Sequence, residues 1–293
     1  MKNSDASPSS PAAASLALQG SGSTVWNTKN LGSRLGVDAI SAASAASMVA
    51  PLIAMIDRSV MENASGRSSL ASSIASSLRT LITRPHTFLF SKPTALIFLV
   101  YGSTYLMANT VDTSSSTLNN RPASSITAGT AKFAASSAAN IGIGIYKDQV
   151  FVRLFGPPGA VPRAVPLPGY TLFAARDCLT IFASFNVPPI LGPYLDSHFS
   201  NEVKARMSGL STAQFLAPAA VQFISTPMHL LGLDLYNRPS TGAATVNMRD
   251  RWDAVRRNWT ISAFARIGRI VPAFGIGGVV NTKVRRSLMA KLE

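Results

Sequence analysis

The chain has 293 residues, of which 47% are apolar and only 14% are charged, and its net charge is +14. A soluble domain has about a quarter of its residues charged, so this composition, with a mean hydropathy of +0.22, favours a membrane protein. The cations flank the apolar runs, which argues against nucleic-acid binding. Cys178 is the single cysteine and excludes an internal disulfide, while the three scattered histidines predict no metal site.

Residues 1–37 begin with a Ser-, Ala- and Pro-rich stretch and are predicted to form a disordered tail. Uncharged runs then predict six transmembrane helices in a membrane domain over 38–286, followed by a C-terminal tail over 287–293. The runs lie at 39–56, 94–111, 133–146, 178–195, 207–228 and 270–282. The third and sixth runs are short and span a bilayer only if the flanking cations lie inside it. A soluble helical bundle is the alternative.

Charged residues border two of these runs closely. Arg176 and Asp177 precede the fourth run, and Arg269 precedes the sixth. Charge is costly in hydrocarbon and usually marks a functional site or a water-filled cavity. A guanidinium binds a carboxylate through two hydrogen bonds, and a carboxylate holds an ammonium, so these residues predict binding of an anionic or zwitterionic solute. The alternative is an ion pair between helices with no ligand.

Two further polar residues are given structural roles. Arg266 lies one helical turn from Arg269 and is interpreted as a side chain that snorkels along lipid or contacts a loop. His229 is interpreted as a packing residue rather than a proton-linked site. Because Asp and His are few and scattered, no enzyme active site is predicted, and no cofactor or metal is expected.

The runs also form three similar units, at about 38–112, 122–196 and 207–286, which predicts a repeat architecture. The odd helices carry partly equivalent motif residues, namely Pro51 with Arg58, Asp148 with Arg153, and Pro227. The even helices open near Lys92-Pro93, Arg176-Asp177 and Arg269-Ile-Val-Pro272. From about Asp38 to Arg286, this pattern resembles the mitochondrial solute carrier family.

The resemblance implies an all-α membrane protein with six transmembrane helices in three pseudo-symmetric two-helix repeats. It implies a multi-pass location in the mitochondrial inner membrane, with the outer membrane as the alternative. The family's contact positions on the even helices match Arg176-Asp177 and Arg269, with Lys92 beside the first of them. The implied substrate-binding set is therefore Lys92, Arg176, Asp177 and Arg269, and an Arg–acid pair implies amino-acid cargo.

The chain departs from that family at the charges that close the cavity. The acidic positions of the three motifs hold Ile53, Asp148 and His229, and the partner positions hold Ile56, Phe151 and Gly232. Two hypotheses remain. The first is a transporter that moves a small carboxylate or amino acid through a cationic cavity in the lipid bilayer. The second is a non-transporting protein of the same fold that acts in mitochondrial membrane organisation, insertion or tethering. The charges kept on the even helices favour transport.

Overall fold

The computed structural model describes residues 26–127, 130–157, 159, 164–204, 207–239 and 246–293, and these form helices and turns without a strand. The predicted all-α fold is thereby confirmed. Residues 1–25 of the predicted tail lie outside the described residues. The first helix begins at Leu31 and thus includes the last part of that tail.

Thirteen helical segments follow one another in the described part of the chain. They are α1 (Leu31–Ala64), α2 (Leu70–Thr83), α3 (Pro85–Leu89), α4 (Lys92–Leu118), α5 (Thr130–Phe155), α6 (Leu167–Phe185), α7 (Pro188–His198), α8 (Asn201–Lys204), α9 (Gly209–Ala220), α10 (Gln222–Asn237), α11 (Met248–Gly268), a π-helical segment (Val271–Gly277) and α12 (Gly278–Met289).

Helix α1 is the longest element, with 34 residues. At 1.5 Å per residue it measures about 50 Å, well beyond the roughly 30 Å of a bilayer core. One of its faces consists of small and aliphatic side chains that are fully buried, namely Ser41, Ala42, Ala45, Ala46, Val49, Ala50, Ile53 and Ala54. Small side chains let helix backbones approach closely in lipid, and α1 accordingly packs on α4, α5, α11 and α12.

The long helices close into a ring. Helix α1 packs on α4, α4 on α5, α5 on α6, α6 on α10 and α10 on α11, while α11, the π-helical segment and α12 all return to α1. Helices α7 and α9 pack on each other beside this ring. A Cβ on Gly209 would come within 2.7 Å of the Asp196 backbone nitrogen, so only glycine fits at that crossing. The ring surrounds the buried polar residues described below.

In the part of the chain that the structure describes, three helical stretches are long and apolar enough to cross a membrane, namely Leu31–Ala64, Lys92–Leu118 and Phe215–Asn237. They overlap the predicted runs 39–56, 94–111 and 207–228. The run 178–195 falls on two consecutive helices, Leu167–Ser184 and Pro188–His198, with a bend of 44° between them. These two helices would make a fourth span if they cross the membrane together. A membrane protein is supported, but the predicted six-span layout is not.

The two remaining runs fail as spans for a physical reason. The run 133–146 lies in α5, where Lys132, Lys147 and Asp148 bound a stretch rich in serine and alanine. The run 270–282 is divided between the π-helical segment and α12. The π-helical segment has 7 residues and α12 has 12, and each is shorter than the roughly 20 residues that a helix needs to cross a bilayer core.

Candidate functional site

A set of six buried charged side chains, which we call the central ion network, joins α1, α5, α6 and the end of α11. Its members are Asp57, Lys147, Asp148, Arg176, Asp177 and Arg269. Three are cations and three are anions, so the network is neutral as a whole. Charges removed from water are tolerated when they pair with good geometry, and the contacts below meet that condition.

Arg176 occupies the centre of this network. Its Nη2 lies 2.7 Å from Asp148 on α5 and 2.8 Å from Asp177 on its own helix, and its Nε donates to Asp177 at 3.0 Å. Its Nη1 lies 2.7 Å from Nδ1 of His229 on α10. A guanidinium only donates hydrogen bonds, so this His229 nitrogen is the acceptor and the ring is neutral. Arg176 therefore holds three helices together.

Asp57 on α1 links the other two cations. Its Oδ2 lies 2.9 Å from Lys147 Nζ, and its Oδ1 lies 2.9 Å from Arg269 Nη1. Lys147 Nζ also lies 2.6 Å from Asp148 Oδ1. A continuous chain of ion pairs thus runs from Arg269 through Asp57, Lys147 and Asp148 to Arg176.

A cavity of about 160 Å³ opens beside this network. A water molecule takes up about 30 Å³ of liquid, so the cavity is of the size expected for a small solute. Asp177 and Arg269 from the network line it, together with Gln222, Lys132 and several hydroxyl and amide side chains. Its walls come from α4, α5, α6, α10 and the segment that follows α11.

The π-helical segment shapes one wall of the cavity. Tyr105 on α4 donates its hydroxyl to the Ala273 carbonyl at 2.6 Å, and both residues line the cavity. A Cβ on Gly277 would overlap the Tyr105 hydroxyl and come within 2.9 Å of a Val49 methyl. The π-helical segment therefore packs closely against α1 and α4, and π-helical turns of this kind are frequent at functional sites.

Arg266 was interpreted from the sequence as a side chain that snorkels along lipid or contacts a loop, and this interpretation is wrong. It is 1% exposed, and its Nε donates to the side-chain amide oxygen of Gln222 on α10 at 3.1 Å. Among the described residues, no carboxylate lies within ion-pair distance of Arg266, and its Nη2 has no hydrogen-bond partner. The spacing of the buried positions on α11 explains the burial, because Arg251, Val255, Ser262 and Arg266 are separated by 4, 7 and 4 residues and share one face.

The structure brings together three of the four predicted substrate-binding residues. Arg176, Asp177 and Arg269 all belong to the central ion network, and the last two line the cavity. Lys92 is instead the first residue of α4, where it is exposed and is not part of the cavity wall. Substrate binding by these residues stays a prediction, and the geometry supports it least for Lys92.

The predicted repeat-motif residues have separate surroundings. Asp148 lies in the central ion network, while Arg58 pairs with Glu62 at 3.0 Å one turn along α1. Arg153 is exposed near the end of α5. Pro51 and Pro227 lie inside α1 and α10 rather than at helix ends, as membrane-embedded helices with packed neighbours allow.

A second polar group, which we call the terminal polar cluster, joins the start of α1 to the ends of α4 and α12. Arg285 Nε donates to Asp38 at 2.7 Å, and its Nη2 donates to the Thr113 hydroxyl at 3.0 Å. The amides of Asn109 and Asn281 bond reciprocally at 2.9 Å. The cluster has two other members, Arg34 and Asp112. The Nη groups of Arg34 donate to the backbone oxygens of Asn27 and Thr113 and to the Ser116 hydroxyl. Asp112 pairs with Lys132 at 2.7 Å.

Sequence reasoning missed several residues of the site, above all Asp57, Lys147, Gln222 and Arg266. Asp57 follows a charge-free run directly, and Lys147-Asp148 follows another. Adjacent opposite charges at the end of an apolar run form the same pattern that drew attention to Arg176-Asp177. That signal was available for Lys147-Asp148, whereas nothing local marks Gln222.

Comparison with known families assigns the chain differently from the sequence resemblance. The model of a family described as probable citrulline exporter matches residues 41–289. No curated protein matches the chain. The resemblance to the mitochondrial solute carrier family is therefore wrong, since the match covers the same region and belongs to another family. Membership in another family explains why the carrier motifs are short and degenerate in this chain and why the charges that close a carrier's cavity are missing.

Proposed function

The chain belongs to the probable citrulline exporter family, and from that premise we propose that it exports citrulline across a membrane through the cavity beside the central ion network. Membership in this family supports a membrane transport role for an amino acid. Citrulline as the solute, and export as its direction, are proposals taken from the family's description.

The observation that carries the proposal is the presence of both signs of charge in one cavity wall. Asp177 and Arg269 both line the cavity, and an amino acid carries an ammonium and a carboxylate. Asp177 accepts from Arg176 but keeps carboxylate lone pairs for an ammonium, and Arg269 gives one of its five N–H groups to Asp57. The wall is therefore complementary to a zwitterion.

The rest of the lining suits a polar, uncharged side chain. Citrulline ends in a ureido group, which both donates and accepts hydrogen bonds. The cavity offers hydroxyl and amide groups of Thr104, Ser136, Ser137, Asn140, Thr180 and Ser184. Among the described residues, the Ser137 hydroxyl has no hydrogen-bond partner, and buried polar groups are normally satisfied. A bound ureido group would supply that partner.

The family match also weighs against the second hypothesis, a non-transporting protein that organises or tethers membranes. The family's description names an exported solute, and a purely structural protein has no need of a solute-sized cavity with opposite charges in its wall.

Uptake into proteoliposomes tests the proposal. Vesicles containing the full-length protein and internal citrulline should accumulate external radiolabelled citrulline, whereas protein-free vesicles should not. Asp177→Asn and Arg269→Gln should each lower the initial rate at least about tenfold, since each removes a charge complementary to the solute. Arg256→Gln, at an exposed position of α11 outside the cavity wall, is the matched control and should transport at the wild-type rate. Wild-type vesicles without uptake would contradict the proposal.

The membrane in which the protein works is a separate proposal. The inner mitochondrial membrane was predicted from the carrier resemblance alone, with the outer mitochondrial membrane as the alternative. No residue or motif in the sequence supports either membrane independently. Fractionation of cells that express a tagged chain would test it: co-purification with mitochondrial inner-membrane markers would support the prediction, and co-purification with another membrane would contradict it.

A further inference from the structure

We infer that Arg266 is the anchor for the carboxylate of the transported solute, an inference that rests on the proposed function and names the group that recognises the charged end of its substrate. The observation behind it is a buried cation without an anion. Every other charge in this part of the molecule is paired within the central ion network, which is neutral. With Arg266 included, this part of the molecule carries one net positive charge.

Arg266 has fewer hydrogen-bond acceptors than the other buried cations that the structure describes. Lys147 and Arg176 bind the carboxylates of the central ion network, Arg251 binds Asp234 at 2.6 Å, and Arg285 binds Asp38. Arg34 also has no carboxylate and its Nε has no partner among the described residues, but its two Nη groups donate to three oxygen atoms. Arg266 donates only to Gln222, and its Nη2 is buried without a partner.

The position of Arg266 places it directly behind the cavity wall. Gln222, which accepts its hydrogen bond, lines the cavity, and so do Arg269 and Ile270, one turn further along the chain. Gln222 makes two further hydrogen bonds close to it in sequence. Its Nε2 donates to the Pro218 carbonyl at 3.0 Å, and its Oε1 accepts from the Ser225 hydroxyl at 3.3 Å. Gln222 is therefore in contact with both the cavity and the guanidinium.

A carboxylate is the ligand that this arrangement lacks. It is planar, carries one negative charge and accepts two parallel hydrogen bonds from a guanidinium. It would replace a neutral amide acceptor with a charged one, fill the vacant Nη2 position and bring the local charge to zero. With the carboxylate at Arg266, Asp177 remains as the acceptor for the ammonium on the same cavity wall.

Equilibrium binding to the purified full-length protein in detergent tests this inference with three solutes. The first is citrulline. The second is N-carbamoylputrescine, the same molecule without its carboxylate, and the third is 5-ureidopentanoate, the same molecule without its amine. The wild type should bind both carboxylates, and it should bind N-carbamoylputrescine about 30-fold more weakly or worse. Arg266→Met should reduce that preference at least about tenfold by weakening both carboxylates, with Arg269 still in the cavity wall, and should leave N-carbamoylputrescine unchanged.

A stability measurement separates a ligand anchor from a structural residue. Without solute, Arg266→Met should unfold at the same temperature as the wild type or at a higher one, because methionine removes an unpaired buried charge. Arg256→Met, which changes an exposed arginine on the same helix, is the control and should match the wild type in both assays. A clear drop in the unfolding temperature of Arg266→Met would assign Arg266 to the core and overturn the inference.

The remaining outcomes distinguish the inference from the proposed function. If Arg266→Met binds citrulline as tightly as the wild type does, the inference fails and the proposed function stands. If the wild type binds 5-ureidopentanoate but not citrulline, and Arg266→Met loses that binding, the proposed cargo fails and the anchor stands. If the wild type binds neither carboxylate, both are overturned.

Discussion

The central ion network and the terminal polar cluster are both buried, both charged and both built across α1, yet they are satisfied to different degrees. Their acidic residues on α1, Asp57 and Asp38, are 19 positions apart, or about 28 Å along the helix. In the terminal polar cluster, Arg285 is held by a carboxylate and a hydroxyl, and the Nη groups of Arg34 each meet oxygen atoms. The central region instead contains Arg266, which has one amide for a partner.

This difference shows that burial of charge is by itself a poor marker of a binding site. Buried ion pairs serve as interhelical contacts in both regions, and pairs of this kind are weak evidence for function. Among the described residues, neither Arg34 nor Arg266 has a carboxylate partner, so what separates the regions is the cavity, whose wall includes Gln222, the hydrogen-bond partner of Arg266. We therefore expect substitutions in the terminal polar cluster to change stability alone, and substitutions in the central region to change stability, solute binding or both.

The largest effect on stability is expected at Asp148, which contacts Lys147 and Arg176 at once. Asp148→Ala leaves two buried cations short of an anion, and breaking a buried pair in this way costs about 3–5 kcal/mol. Chemical unfolding of the purified protein in detergent measures this loss in the free energy of unfolding. Asp253→Ala, at an exposed position of α11, should stay within about 0.5 kcal/mol of the wild type. A loss below about 1 kcal/mol for Asp148→Ala would mean that the network does not hold α5 and α6 together.

A smaller loss is expected at Asp38. Asp38→Asn keeps an acceptor for the Thr113 hydroxyl but removes the charge that faces Arg285, and we expect a cost of about 2–3 kcal/mol. Citrulline affinity should not change, because neither Asp38 nor Arg285 lines the cavity. Reduced affinity in a folded Asp38→Asn protein would break the distinction between the two regions.

Gly277 lies between the two regions and tests the close packing of the π-helical segment. Gly277→Ala introduces a methyl group that overlaps the Tyr105 hydroxyl, and overpacking of this kind costs about 1–3 kcal/mol. Tyr105→Phe in the same chain should recover part of the loss, because it removes the atom that is overlapped. Thermal unfolding of the two single variants and the double variant measures this coupling, and strictly additive losses would contradict the contact.

The smallest effect is expected at Glu293, which is exposed beside the terminal polar cluster. Its carboxylate accepts from the Ser124 backbone N–H at 2.8 Å and from the Ser124 hydroxyl at 2.7 Å, and these bonds hold the pKa of Glu293 below its usual range. A lowered pKa in the folded state means that the contact stabilises above the ordinary glutamate pKa of about 4.3 and is lost as the pH falls further.

Amide hydrogen exchange near Ser124 measures that contact. At pH 7, Glu293→Gln should exchange faster there than the wild type. At a pH well below 4 the two proteins should exchange alike, because the wild-type carboxyl is then protonated as well. An equal difference at both pH values would show that the carboxylate charge plays no part.

The sequence was informative where a charge interrupts an apolar run and uninformative where a contact crosses between helices. Arg176-Asp177 and Arg269 could be recognised, because uncompensated charge next to a span is expensive and must find a partner or water. The all-α fold followed from the same runs. The identity of the partners could not be predicted, since Asp57 and Arg269 are 212 residues apart and meet only in the folded ring.

One interpretation from the sequence is wrong for a physical reason, while the role of Lys92 stays a prediction. Arg266 was placed outside the site because it was judged by its position beside an apolar run rather than by its helix face. Lys92 begins α4 and is exposed, whereas Arg266 lies on the buried face of α11 with Arg251, Val255 and Ser262. Because this face carries two arginines and a serine, no apolar period in the sequence marked it as buried, and Arg266 could not be placed from the sequence alone.

Protection of an introduced cysteine tests most directly whether a citrulline-like solute occupies the cavity. Cys178 is the single cysteine, so Cys178→Ala gives a background for Ser184→Cys in the cavity wall and for Ser200→Cys at an exposed turn. A water-soluble thiol reagent should modify both cysteines, and citrulline should slow the reaction at position 184 only. If citrulline slows neither reaction or slows both equally, the cavity beside the central ion network is not its binding site.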